Sequence, residues 1–162
     1  MKSDASRTQA VLLVLGIALL VISLFLPAVQ GSYGKQPAVI PGWSVMLFSL
    51  VAGAGTLDDA LTGTASFKPL YLLPFLAALL NLNFIAVGIC SYRRRGRGGL
   101  PRWLAPGTLC GLILAIVSPL ALSGSERLLP GFYVWVLAHA CLAAAVILAR
   151  LRPSPDPSIR NQ

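Results

Sequence analysis

Acidic side chains and histidine are nearly missing from this sequence. Of 162 residues only five are Asp or Glu and one is His, and charged residues of both signs make up 11%. A structural zinc site draws four ligands from Cys and His, so one His139 and three Cys with no CxxC spacing leave no cluster to hold the ion. No metal and no cofactor is expected. The cysteines, Cys90, Cys110 and Cys141, all fall inside apolar segments rather than in loops, which excludes a disulfide framework and makes them reduced packing residues.

Paired catalytic groups are missing too. Asp58 and Asp59 are the one adjacent pair of carboxylates, and neighbours on a helix or turn point in different directions, so they do not form an acid and base at a fixed distance. Asp58 is expected to cap a short helix. No hydroxyl nucleophile has a histidine nearby in sequence, which argues against a hydrolase. The chain is expected to be non-enzymatic, with no catalytic residue.

What the sequence has instead is hydrocarbon. It is 56% hydrophobic with a mean hydropathy of +0.78, more apolar surface than a soluble domain of this size can bury. Four stretches reach the roughly 20 residues that cross a bilayer core: residues 9–29, 67–92, 103–122 and 131–151. The first looks like a signal peptide, but its apolar core exceeds the roughly 7–15 residues of such a segment and Gln30 stands where a small residue precedes cleavage, so it is expected to be retained. Residues 43–55, after the turn-prone Gly31-Ser32-Tyr33-Gly34 and Pro41-Gly42, are too short to span and are expected to form an interfacial or re-entrant helix. Thr56 to Asp59 reads as a polar break after it. Pro74 is expected to kink the second span, and residues 152–162, with three prolines, read as a disordered tail.

The formal charge of +8 is concentrated in one place. Arg93, Arg94, Arg95, Arg97 and Arg102 crowd the loop 93–102 between the second and third spans. No basic face interleaved with aromatics accompanies them, so they mark topology, not nucleic-acid binding. With four spans, ten Lys and Arg fall on the side of this loop and three (Lys35, Lys68 and Arg127) on the other, which sets both termini in the cytoplasm. The same arginines are expected to attract anionic lipid headgroups.

No span carries Asp, Glu, Lys or Arg in its interior, so an ion pathway has no charged residue at depth. Asn81, Asn83 and His139 are the polar candidates there. Asn81 lies 12 residues before Arg93 and His139 lies 11 before Arg150. At about 1.5 Å per residue both sit about 16–18 Å from the inner boundary, so an Asn81 to His139 hydrogen bond between the second and fourth spans is expected. Asn83, about 200° around the helix from Asn81, needs another partner. Gly107, Gly111 and Ala115 form a ridge of small residues for close helix approach, and Ala140 and Ala144 offer the same spacing on the fourth span.

The run Leu24-Phe25-Leu26-Pro27-Ala28, followed by Pro41-Gly42-Trp43 and the glycines Gly53 and Gly55, resembles a class of small multi-pass bacterial inner-membrane proteins without a characterised activity. The second span enters through Phe67-Lys68-Pro69-Leu70, a departure from that pattern. The resemblance implies fold and location alone. The expectation is therefore an all-α, four-transmembrane-helix bundle of the bacterial cytoplasmic membrane that packs against or modulates a membrane protein partner, or a second copy of itself. A small-molecule or lipid transporter subunit is the alternative, and a membrane-embedded enzyme comes third.

Overall fold

The computed structural model describes residues 2–33, 36–63, 72–93, 104–121 and 127–151. Most of them are helical. Helix α1 (Lys2–Phe25) closes with the Leu26 N–H on the Ile22 carbonyl at 3.2 Å, and Pro27, which has no N–H, ends it. The chain then forms strands β1 (Pro27–Tyr33) and β2 (Gln36–Pro41), antiparallel, with Val29 opposite Ile40 and Tyr33 opposite Gln36. A short β3 (Arg127–Leu128) pairs with the other edge of β1 at Val29 and Gln30. This three-stranded sheet, in the order β2-β1-β3, is absent from the sequence expectation, which read the segment as a turn-rich connection. Prolines misled there: Pro27 opens its strand, and Pro37 and Pro41 lie on the edge strand, where a missing donor costs the ladder little.

Helix α6 (Pro130–Arg150) starts directly from the sheet, with the Leu129 N–H on the Ala28 carbonyl at 2.9 Å and Pro130 in the first turn. A Cβ on Gly131 would stand 2.7 Å from the Pro27 carbonyl oxygen, so only glycine admits this approach. Deeper in, Gly16 of α1 lies against the Ala138 carbonyl and Cys141 of α6. The two helices are thus antiparallel along their length. The rest of the bundle is α3 (Leu72–Leu80), α4 (Leu82–Arg93), α5 (Leu104–Val117) and a 3-10 turn at Ser118–Ala121 that contains Pro119.

Contacts fix the direction of each rod. Asn81 pairs with Trp135 and Phe84 packs on His139, so α3 and α4 run in succession alongside α6 in the same sense. Gly111 faces Leu80 and Gly107 faces Asn83, so α5 runs back against them, and its terminal 3-10 turn reaches α3. Phe84, Val87, Leu104, Ala105, Ala138, Leu142 and Val146 form the core where α4, α5 and α6 meet, with Leu13, Leu19 and Leu20 of α1 against it. Arg93 and Arg150 close α4 and α6 at the end opposite the sheet, and Arg7 near the start of α1 shares that end.

Helix α2 (Gly42–Thr62) is the exception to this alternation. It begins against Ser23 and Leu24 at the sheet end of α1, with the Gly42 N–H on the Leu26 carbonyl at 3.0 Å. Met46 is beside Asn81, and Gly53 lies under Phe75, near the start of α3. Advancing along α2 therefore means moving back along α3, toward the sheet end. From Met46 to Gly53 α2 thus retraces α3 from Asn81 to Phe75, and Thr56, three residues further on, is still buried. Among the described residues four helices (Arg7–Phe25, Gly42–Thr62, Leu72–Ser91 and Pro130–Arg150) are long and apolar enough to cross a membrane, so the segment 43–55, expected to be too short, belongs to a helix of crossing length, and Leu104–Leu120, within the expected third span, is a shorter apolar helix.

Three local expectations are corrected. The polar stretch at Thr56 to Asp59 does not break α2, because Thr56 Oγ1 donates back to the Ala52 carbonyl at 2.9 Å and absorbs its own polarity. Asp58 caps nothing; it lies in the last turns of α2, which ends at Gly63 in the left-handed region (φ 70°) with its N–H on the Asp59 carbonyl. The second span is not one continuous helix but is interrupted at Asn81, seven residues after Pro74, while the residues preceding Leu72 lie outside those described.

Candidate functional site

The break between α3 and α4 is where the polar residues gather. No proline or glycine sits at it. The Asn81 N–H reaches the Ala78 carbonyl at 3.2 Å and the Asn81 carbonyl accepts from the Phe84 N–H at 3.1 Å, both i to i−3 bonds of the 3-10 kind. The Asn81 side chain then ties three helices together. Its Oδ1 accepts from Trp135 Nε1 of α6 at 2.9 Å, and its Nδ2 donates to Met46 Sδ of α2 at 3.5 Å. Asn83 points to a different helix, as its angular separation from Asn81 requires. Its Nδ2 donates to the Gly107 carbonyl of α5 at 3.1 Å.

His139 lies one turn deeper than Trp135 and is only 2% exposed. Its Nδ1 is 3.1 Å from the Trp135 carbonyl. A carbonyl only accepts, so Nδ1 carries the hydrogen and, in the neutral ring, Nε2 is a bare acceptor. Nε2 is buried and has no hydrogen-bond partner among the described residues. Aromatic edges enclose the imidazole: Trp135 at 4.9 Å between ring centroids and Phe84 at 5.0 Å, both close to perpendicular. Gly111 forms the remaining wall, where a Cβ would come within 3.3 Å of His139 Cδ2.

The expected Asn81 to His139 hydrogen bond is thus not made in this structure. Counting residues from Arg93 and from Arg150 took those two arginines as level, whereas the contacts set Asn81 level with Trp135 and Phe84 level with His139. Trp135 of α6 supplies the donor to Asn81 instead. Met46 went unnoticed as well, since a thioether in an apolar run gives no signal of polar contact.

Gly107, Gly111 and Ala115 all turn inward, and Ala115 is fully buried. The groove they form is filled by α3, α4 and α6 of the same chain. On α6 the packed face is Ala138, Cys141, Leu142, Ala145 and Ala149, one residue out of register from Ala140 and Ala144, which stay half-exposed. The close approach missed from sequence is Gly16 of α1. Its signal was present: Gly16 and Ser23, seven residues apart, are the two interruptions of the apolar run, and Ser23 is also buried, its hydroxyl turned back onto the Leu20 carbonyl at 2.7 Å.

Cys110 is exposed on α5 and Cys141 buried on α6. No group of three or more His, Cys, Asp or Glu that could hold a metal exists among the described residues. Asp58 and Asp59 sit together near the far end of α2, and Asp58 is exposed. Arg93 is exposed in the last turn of α4, whereas Arg94, Arg95, Arg97 and Arg102, the tail at 152–162 and Glu126 lie outside the described residues.

No known family matches this chain, and neither a curated protein nor a solved structure is significantly similar to it.

Proposed function

We propose that this chain is a non-enzymatic, four-span protein of a bacterial cytoplasmic membrane, with both ends cytoplasmic, that packs against and modulates a membrane partner. The observation that carries this reading is α2. It leaves Leu47, Phe48, Val51, Leu57 and Leu61 exposed, packs chiefly on α3, α1 and the hairpin among the described residues, and begins at the sheet end of the bundle. Arg7, Arg93 and Arg150 at the opposite end support the cytoplasmic assignment of that end, where anionic headgroups are the expected lipid contact. The polar layer at Asn81 and His139 supports a structural role for those residues, since side chains and aromatic edges enclose it.

Site-specific photocrosslinking in native membranes tests this. A crosslinker at Phe48 or Val51 is expected to give one discrete protein adduct, and one at Ile113 or Ile116, exposed on α5, to give none. Lipid adducts alone at Phe48 and Val51 would refute it. The transporter reading has one observation in its favour, an interrupted helix beside an imidazole whose Nε2 has no partner among the described residues, a feature shared with substrate sites in discontinuous helices. That reading requires water to reach His139, which solvent-accessibility labelling of a His139→Cys variant decides.

A further inference from the structure

The imidazole Nε2 of His139 is a buried acceptor with nothing donating to it among the described residues, and such a group costs free energy wherever an alternative exists. An alternative lies across Gly111. The point where a Gly111 Cβ would stand is 3.3 Å from His139 Cδ2, the carbon bonded to Nε2, and 3.9 Å from Asn83 Nδ2. The two groups thus face one another over space that a side chain would otherwise fill. We propose that the Asn83 amide is a two-position latch, exchanging its bond to the Gly107 carbonyl of α5 for one to His139 Nε2 of α6.

Three features make the exchange near to balanced. One neutral hydrogen bond is traded for another, and the second satisfies an atom the first leaves unpaired. The Gly107 carbonyl is not stranded on release, because it belongs to the interior of the α5 helix. Asn83 also follows the 3-10 break at Asn81 by two residues, and a stretch of that kind within a helix marks a hinge more often than regular helix does. In one position α4 is tied to α5, and in the other to α6. The latch therefore sets whether the side chain of Asn83 ties α4 to α5 or to α6.

The chain has a single histidine, so labelling histidine with 15N reports on this ring alone. In lipid nanodiscs the Nε2 resonance is expected to show microsecond-to-millisecond exchange between a free and a hydrogen-bonded shift. Exchange is expected to vanish in Asn83→Leu, which has no donor, and in Gly111→Ala, which fills the intervening space. A single unexchanging Nε2 shift in the unaltered protein would overturn the proposal, and that measurement needs no variant to fold. Exchange that survives in Asn83→Leu or in Gly111→Ala would overturn it as well.

Discussion

Replacing Trp135 by Phe and Asn81 by Leu, singly and together, tests the bond that joins α6 to the broken span. Trp135→Phe keeps most of the ring in place and removes the Nε1 donor, leaving Asn81 Oδ1 with its 2.9 Å partner gone. Asn81→Leu does the reverse and strands the indole N–H. Each single change leaves a buried polar group unsatisfied, a cost of about 1–3 kcal/mol, while the double change leaves none from this pair. Measured couplings between polar side chains in membrane helices average about 0.6 kcal/mol and reach about 1.7, so the double variant is expected to be more stable than the sum of its parts by that margin. The Met46 Sδ contact at 3.5 Å adds little, because a thioether is a weak acceptor. Reversible unfolding in mixed micelles, or steric trapping in bicelles, gives the four free energies of the cycle. Strict additivity would show that the bond contributes nothing and that Asn81 is placed by packing alone.

Further outcomes follow from the close approaches. Gly131→Ala sets a Cβ 2.7 Å from the Pro27 carbonyl oxygen and 2.9 Å from that of Leu26, backbone atoms held by the sheet, so a loss of about 2 kcal/mol or more is expected in the same unfolding assay. Gly55→Ala, in α2 with no atom within 4 Å, is the control and is expected to be neutral or stabilising by up to about 1 kcal/mol. Gly16→Leu is expected to separate α1 from α6, read as lost crosslinking between cysteines placed along that seam, because the Ala138 carbonyl lies only 3.2 Å from the first carbon added.

Hydropathy made the rods legible and little else. Three of the expected spans hold a helix of crossing length, whereas 103–122 holds the shorter Leu104–Leu120 and the segment read as too short, 43–55, is part of a helix of 21 residues. Asn83 and the inward ridge of Gly107, Gly111 and Ala115 could also be picked out, since polar and small residues stand out against Leu and Ile. Register was not legible. A run such as Ala-His-Ala-Cys-Leu-Ala-Ala-Ala holds several interleaved small-residue ridges, and nothing in composition separates Ala140 and Ala144 from Cys141, Ala145 and Ala149. The sheet was hidden by its prolines. The partner of Asn81 was hidden because depths counted from Arg93 and Arg150 compare only if the two arginines are level, and the contact of Phe84 with His139 shows that they are not.

The same limit bears on α2, where length and packing point in opposite directions. Twenty-one residues at about 1.5 Å each cover roughly 31 Å, enough to cross, yet α2 is the least hydropathic of the four long apolar helices, at 1.3 against 2.1 to 2.5. Its contacts run from Met46 at Asn81 back to Gly53 at Phe75, antiparallel to α3. A crossing α2 would deliver Asp58 to the side of Arg93; an α2 that turns back keeps it on the side of Arg127. Single cysteines at these three positions in an otherwise cysteine-free chain separate the two cases, with a membrane-impermeant maleimide added to intact cells. Asp58→Cys and Arg127→Cys are expected to react together, and Arg93→Cys only after permeabilisation. Were Asp58→Cys protected alongside Arg93→Cys, α2 would be a fifth span, and the alternation of rods derived from the contacts of α3 with α5 and α6 would not hold in the membrane.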